Sequence, residues 1–237
     1  MSVIDFSKYT QLPSVSNLLQ TSSTQKANTS QSQPLQLQNL TQPMQNIAAI
    51  LTQAMPITGR VLLVYPAGAE YITSFLACLV AGNTIIPCVL NEPEDAYRLL
   101  PQLIAEGQVD MLLTCVAWAK PLQQFLKKQR NSLSLLVTDS ITKTVESNFL
   151  PSSIDVRTLA ILNYRQENQA LIWEAQRYGD LYRSSQKTIK RIAISKDDCL
   201  EIKSTTHALE IFIALHSGCY LNFPGQRFSQ TNVRRWC

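Results

Sequence analysis

The sequence predicts an α/β fold with a largely parallel sheet covered by helices. Three observations support this. From Arg60 onward short apolar runs alternate with stretches of helical periodicity. The runs are apolar throughout rather than at every second residue, as strands covered on both faces are. Gly82 and Gly107 stand where the first two helices of the series should stop.

Taken in order, Met44–Met55 repeats Ile47, Ala48, Ile50, Leu51 and Met55 at helical spacing. Val61–Tyr65 is a five-residue strand ended by Pro66-Ala67-Gly68. A helix Glu70–Ala81 and a strand Thr84–Val89 complete a βαβ unit. The alternation continues through a helix Glu94–Glu106, a strand Asp110–Cys115, a helix Ala117–Gln129 and a strand Leu133–Thr138. Beyond a polar connection the expected elements are strand Thr158–Tyr164, a short strand Leu171–Glu174, helix Gln176–Ile192, strand Cys199–Lys203, helix Thr206–His216 and strand Cys219–Phe223. Tyr71–Leu90 carries no charge and is long enough to suggest a membrane span. Gly82-Asn83 divides it, and a turn at mid-membrane would leave backbone groups unsatisfied, so a buried helix-turn-strand is expected instead.

Two regions follow. Residues 1–58 form an N-terminal arm whose stretch 21–33 has almost no large apolar residue and should stay flexible, since it buries too little surface to offset ordering entropy. Residues 59–237 form the α/β domain. Lys+Arg 21 against Asp+Glu 17 gives a net charge of +4, short of the field a dedicated nucleic-acid binder carries. The first ten residues lack a basic start and apolar stretch, so the expected location is the cytoplasm. Six cysteines are scattered with no C-x-x-C pair. Five read as reduced core residues rather than as a zinc or redox site.

The run Gly59-Arg60-Val61-Leu62-Leu63-Val64-Tyr65-Pro66-Ala67-Gly68, continuing through Phe75-Leu76-Ala77-Cys78-Leu79-Val80-Ala81-Gly82 to Ile86-Pro87, closely resembles a segment of the fatty acyl-AMP ligases. They are a branch of the acyl-adenylate-forming, AMP-binding superfamily. In that family a strand ending Tyr-Pro-x-Gly leads into a helix ending Cys-Leu-x-Ala-Gly and then a strand closing on Pro. Weaker likenesses extend along the chain: Leu35–Leu40 looks like the family's entry strand, Leu159–Tyr164 like the strand that delivers its phosphate loop, and Ile189–Asp198 like the helix and loop after it. His207 falls near the histidine of the family's His-Asp-Met-Gly segment, where it would contact substrate, and Phe228-Ser229-Gln230 with Val233–Trp236 resembles a later helix. The resemblance covers the front part of the family's N-terminal catalytic domain.

The family's phosphate loop is rich in Ser, Thr and Gly and ends Pro-Lys-Gly. Small residues let the backbone approach the polyphosphate, and N–H groups with a cation offset its charge. This chain has Arg165-Gln166-Glu167-Asn168-Gln169 there, with no glycine between Gly107 and Gly179 and no lysine between Lys143 and Lys187. After His207 comes Ala208-Leu209-Glu210 instead of Asp-Met-Gly, and the sequence ends at Cys237, before the family's adenine, Mg and C-terminal lysine motifs. No catalytic or metal residue is therefore assigned.

Other candidates read as structural. His207 and His216 fall on different faces of one helix. Ser184 and Ser185 have no base at local spacing, Asp197-Asp198 resembles a solvated turn, and Lys187, Lys190 and Arg191 form a solvated helix face. Arg234-Arg235-Trp236 could touch phosphate or a partner. Thr206–Phe223 is apolar enough to wall an acyl chain, though a core explains it as well.

The resulting expectation is a catalytically degenerate relative of acyl-AMP ligases, acting as an interaction or regulatory module connected with lipid metabolism and binding no cofactor. Its partners would be a protein or a second copy over the incomplete domain face, with an acyl carrier protein or a true ligase as candidates. No nucleic acid and no membrane span are expected. The alternative is one part of a split ligase, or a residual acyl or nucleotide binder, using ATP and Mg once another chain completes it.

Overall fold

The computed structural model describes residues 3–4, 41–90, 92–141, 154–195, 198–201, 208–222 and 233–234. Helix α1 (Thr41–Ala54) precedes the βαβ series β2 (Arg60–Tyr65), α2 (Ala69–Ala81), β3 (Thr84–Val89), α3 (Pro93–Gly107), β4 (Met111–Thr114), α4 (Val116–Lys128) and β5 (Ser134–Val137). A single 3-10 turn, Thr138–Ser140, ends that series. Then come β7 (Leu159–Glu167), β8 (Ala170–Arg177), α5 (Tyr178–Ile192), β9 (Cys199–Glu201), α6 (Ala208–Ser217), β10 (Tyr220–Asn222) and β11 (Val233–Arg234). Two short strands, β1 (Val3–Ile4) and β6 (Ile154–Asp155), pair antiparallel.

The main sheet has the order β5-β4-β2-β3-β7-β8. Its neighbours run parallel except β7 and β8, which are antiparallel. β2 sits at the centre, and Val61–Tyr65 are wholly excluded from solvent. The chargeless stretch becomes a buried helix-turn-strand: α2 is buried from Tyr71 to Ala81, and Gly82 ends it in the left-handed region at φ 79°. There the Gly82 and Asn83 N–H groups donate to Leu79 O (3.1 Å) and Cys78 O (2.9 Å), closing the last turn where a side chain would be strained. Among the described residues no helix is long and apolar enough to cross a membrane.

Three expectations are corrected. The short strand expected at Leu171–Glu174 is β8, eight residues long and antiparallel, so α5 begins at Tyr178 rather than Gln176. β9, β10 and β11 form a separate three-stranded parallel sheet, in the order β10-β9-β11, rather than extending the first. α3 carries Gly107 as its last residue, and the left-handed position falls on Gln108 at φ 50°. Gly107 packs closely against two side chains: a Cβ there would lie 2.8 Å from Ile86 Cδ1 and 3.3 Å from Trp173 Cη2, so the end of Ile86 would have to shift. The flexible stretch 21–33, Leu35–Leu40 and Phe228–Gln230 lie outside the described residues.

The β3–β7 ladder is short. Its one register pair is Ile85↔Ile161. Pro87 follows two residues later and has no N–H to extend the ladder. Beyond that point β7 is joined to β3 through side chains, by a hydrogen bond between Tyr164 and Cys88.

Candidate functional site

The position where the resemblance places a phosphate loop is occupied by the tip of a hairpin. β7 runs on through Arg165, Gln166 and Glu167, and β8 returns in register, with Glu167 opposite Ala170, Gln166 opposite Leu171 and Arg165 opposite Ile172. Only Asn168 and Gln169 turn, at φ 49° and 68°. Two consecutive left-handed residues match the right-handed twist of the flanking strands, and this makes the two-residue connection stable. The loop expected over Arg165, Gln166, Glu167, Asn168 and Gln169 is thus mostly strand. Arg165 Nε lies 3.0 Å from Glu167 Oε1, so the one cation at the tip already faces a carboxylate.

Side chains alternate along the hairpin. Tyr164 and Trp173 are opposite one another and turn towards α3. Their rings lie 5.8 Å apart, and the Trp173 indole N–H donates to Glu106 Oε2 at 3.0 Å. Gln102 Nε2 donates to the other carboxylate oxygen at 2.7 Å. The indole bond, then the Gln102 bond, hold the Glu106 carboxyl below its ordinary range. A depressed carboxyl stabilises the fold above its unfolded value, and this contribution disappears as pH falls through the folded value. Tryptophan fluorescence of the protein minus that of Trp173→Phe should therefore show an acid transition with a midpoint below that of an ordinary glutamate. Glu106→Gln should abolish it.

The other face carries Asn163 opposite Glu174 and Arg165 opposite Ile172. Residues 163–165 and 172–174 line a cavity of about 280 Å³. Asn163 is only 5% exposed, and its buried Oδ1 has no hydrogen-bond partner. Sequence reasoning missed this feature, though one signal existed: Asn163 is the single polar residue in the apolar run Leu159–Tyr164.

A second cavity, of about 310 Å³, lies at the carboxyl ends of β2 and β5. Ala69 and Glu70 of α2, Thr138 and Asp139 line it together with α1 residues. Open parallel sheets bind ligands at this edge, but here two carboxylates line the opening. Asp139 Oδ1 accepts the Val116 N–H at 2.7 Å and so caps α4. Tyr65 is buried beside this edge, its hydroxyl 2.9 Å from Ser74 Oγ and 2.8 Å from Thr138 Oγ1, tying β2 to α2 and to the 3-10 turn.

The structure brings together one pair that spacing did not. Ser185 Oγ on α5 lies 3.4 Å from His216 Nδ1 on α6. The pair is not an activated nucleophile. His216 Nδ1 is 2.6 Å from Phe212 O, so it carries the proton and donates it there. Ser185 Oγ donates to Tyr182 O at 2.8 Å. A nitrogen that donates has no lone pair to take a serine proton. Burial also pushes the His216 imidazolium below its ordinary range, which favours the neutral ring.

The remaining candidates are dispersed. Asp198 accepts from Ser195 N (2.8 Å) and Ser195 Oγ (3.0 Å) within a turn. Lys187, Lys190 and Arg191 are exposed on α5, while Leu181 and Ser185 of the same helix face inwards. Arg234 belongs to β11. Ser184 is exposed. His207, Asp197, Arg235 and Trp236 lie outside the described residues. Cys78, Cys88, Cys115 and Cys219 are buried and unbridged, and burial pushes the Cys88 and Cys219 thiols up to about 11, so they stay protonated and unreactive at neutral pH. Cys199 is half-buried. Among the described residues no three His, Cys, Asp or Glu side chains converge as metal ligands would.

No protein-family model matches the chain. Over 136 residues, 55% of this chain, it is 29% identical to the medium-chain-fatty-acid–[acyl-carrier-protein] ligase JamA of Moorena producens (strain JHB), of whose length the match covers 23%. Among solved structures it superposes on the phenylalanyl-adenylate complex of McyG A-PCP with a TM-score of 0.70 at 12% identity, covering 79% of this chain and 36% of that one. It also superposes on the AMP complex of O-succinylbenzoate coenzyme A synthetase (MenE) from Bacillus subtilis, with a TM-score of 0.61 at 18% identity, covering 81% of this chain and 49% of that one. The chain spans less than half the length of each of these proteins. It has the fold of the N-terminal domain of the adenylate-forming, AMP-binding enzymes, over the front part of that domain, and resembles the fatty acyl-AMP ligases in sequence.

Proposed function

We propose that this protein is a fatty acyl-AMP ligase-like chain without ligase activity of its own, working in the cytoplasm as an interaction or regulatory module. The observation that carries the reading is the two-residue connection at Asn168-Gln169. A polyphosphate cradle needs several consecutive N–H groups pointing at one anion, and a cation free to meet it. Here the N–H groups of residues 165–167 belong to a strand paired with β8, and Arg165 already faces Glu167 at 3.0 Å.

A carrier protein is the favoured partner class. The similar sequence is named for a ligase acting on an acyl carrier protein, and one similar structure joins an A domain to a PCP. A true ligase or a second copy of the chain remains within the same reading.

Titration with ATP and Mg²⁺, and separately with a hydrolysis-resistant acyl-adenylate analogue, should give no saturable signal at millimolar concentration. Micromolar affinity for ATP would overturn the proposal. A complex with an acyl carrier protein in size-exclusion chromatography would support the interaction role.

A further inference from the structure

We infer that the face of the β7–β8 hairpin opposite α3 is a binding site for a primary alkylammonium, with Asn163 and Glu174 as its polar acceptors. The site stands whether or not the chain binds nucleotide.

Its origin is backbone chemistry. The register Ile85↔Ile161 brings Asn163 level with Pro87, where the ladder to β3 has stopped. The cavity of about 280 Å³ is lined by residues 163–165 and 172–174 of the hairpin at this level. Asn163 sits at its deep end, 5% exposed and with an unsatisfied oxygen. A buried amide without a partner is costly, and natural cores rarely keep one without a reason. A half-turn about χ2 exchanges Oδ1 with Nδ2 in nearly the same space, so this amide can offer its acceptor to the cavity.

Charge selects the ligand. Of the ionised groups lining the cavity, Arg165 is matched by Glu167 at 3.0 Å. Glu174, directly across from Asn163, has no ion pair among the described residues. With that half-turn the face presents a carboxylate and an amide oxygen on directly opposed residues, both acceptors, with no unmatched cation among the described residues. An anion would be repelled, and a neutral hydroxyl would satisfy one group at most. A primary ammonium brings three donors and one positive charge. Ile172, 37% exposed on the same face, supplies an apolar wall for an alkyl stem.

This chemistry occurs in a free small amine and in a lysine side chain of a partner protein, and the test separates them. The full ¹⁵N-labelled chain is titrated with n-butylammonium and with N-acetyl-lysine amide, while the Asn163 side-chain NH₂ pair is followed by NMR and assigned by its loss in Asn163→Ser. A saturable shift with n-butylammonium supports a small-amine site, and one with N-acetyl-lysine amide alone supports a lysine contact. Glu174→Gln, an exposed change on an edge strand, should weaken either about tenfold while leaving the rest of the spectrum in place. Glu174→Asp should restore most of the affinity. No saturable shift with either amine, an equal response to n-butanol or butyrate, or unchanged affinity in Glu174→Gln would overturn the inference.

Discussion

Tyr178→Ala is expected to destabilise the protein by about 3–5 kcal/mol, the range found when a large buried aromatic side chain is cut back to a methyl. Tyr178 is fully excluded from solvent at the junction of β8 and α5. Its hydroxyl donates to Leu79 O at 3.0 Å and lies 3.4 Å from Asn83 O, at the carboxyl end of α2. One side chain thus joins the hairpin and α5 to the central βαβ unit, where the backbone ladder alone is short. Burial pushes its phenol far up, so the bond persists across the whole working pH range. Tyr178→Phe isolates the polar part: it keeps the ring and loses the bond to Leu79 O, at about 1–3 kcal/mol. Urea unfolding of the three proteins checks both figures. A Tyr178→Ala midpoint equal to that of the unaltered protein would refute the joining role.

Gly179→Val should cost about 3 kcal/mol or more, at the upper end of overpacking penalties. A Cβ at Gly179 would lie 2.9 Å from Val156 O and 3.0 Å from Val156 Cβ. The first of these is backbone, and it is held in place because Gly179 N donates to the same oxygen at 2.8 Å. Gly179→Ala makes the sign a contest. Alanine gains up to about 1 kcal/mol of helix propensity over glycine, while the clash costs about 1–3 kcal/mol, so a small net loss is expected. Thermal denaturation of the two variants should rank valine well below alanine. The reverse order would show that α5 moves away from Val156 more easily than the contacts imply.

How legible each element was in the sequence depended on the range of the interactions that form it. From β2 to β5 the strands and helices lie within one or two residues of the sequence expectation, because each is bounded by local signals: Pro66 and Gly68 after β2, Gly82 after α2, Pro93 opening α3. The β7–β8 hairpin was harder to read. β8 is apolar only over Ala170–Trp173 and continues through Glu174, Gln176 and Arg177 on an edge strand, while its turn uses Asn168-Gln169 rather than a glycine. The pairing of Ser185 with His216, and their inactivity as a dyad, depends on how α5 and α6 lie together, which neither helix encodes alone.

Residue identity by itself determined the α/β class, the buried nature of Tyr71–Leu90 and the lack of glycine and lysine where the resemblance places a phosphate loop, since these are properties of local composition and spacing. Only the tertiary structure decided what stands at that position. A strand pair held by cross-strand hydrogen bonds, with Asn163 isolated beside Pro87 and Glu174 opposite it, arises from register between segments distant in sequence, and register appears only when the strands meet.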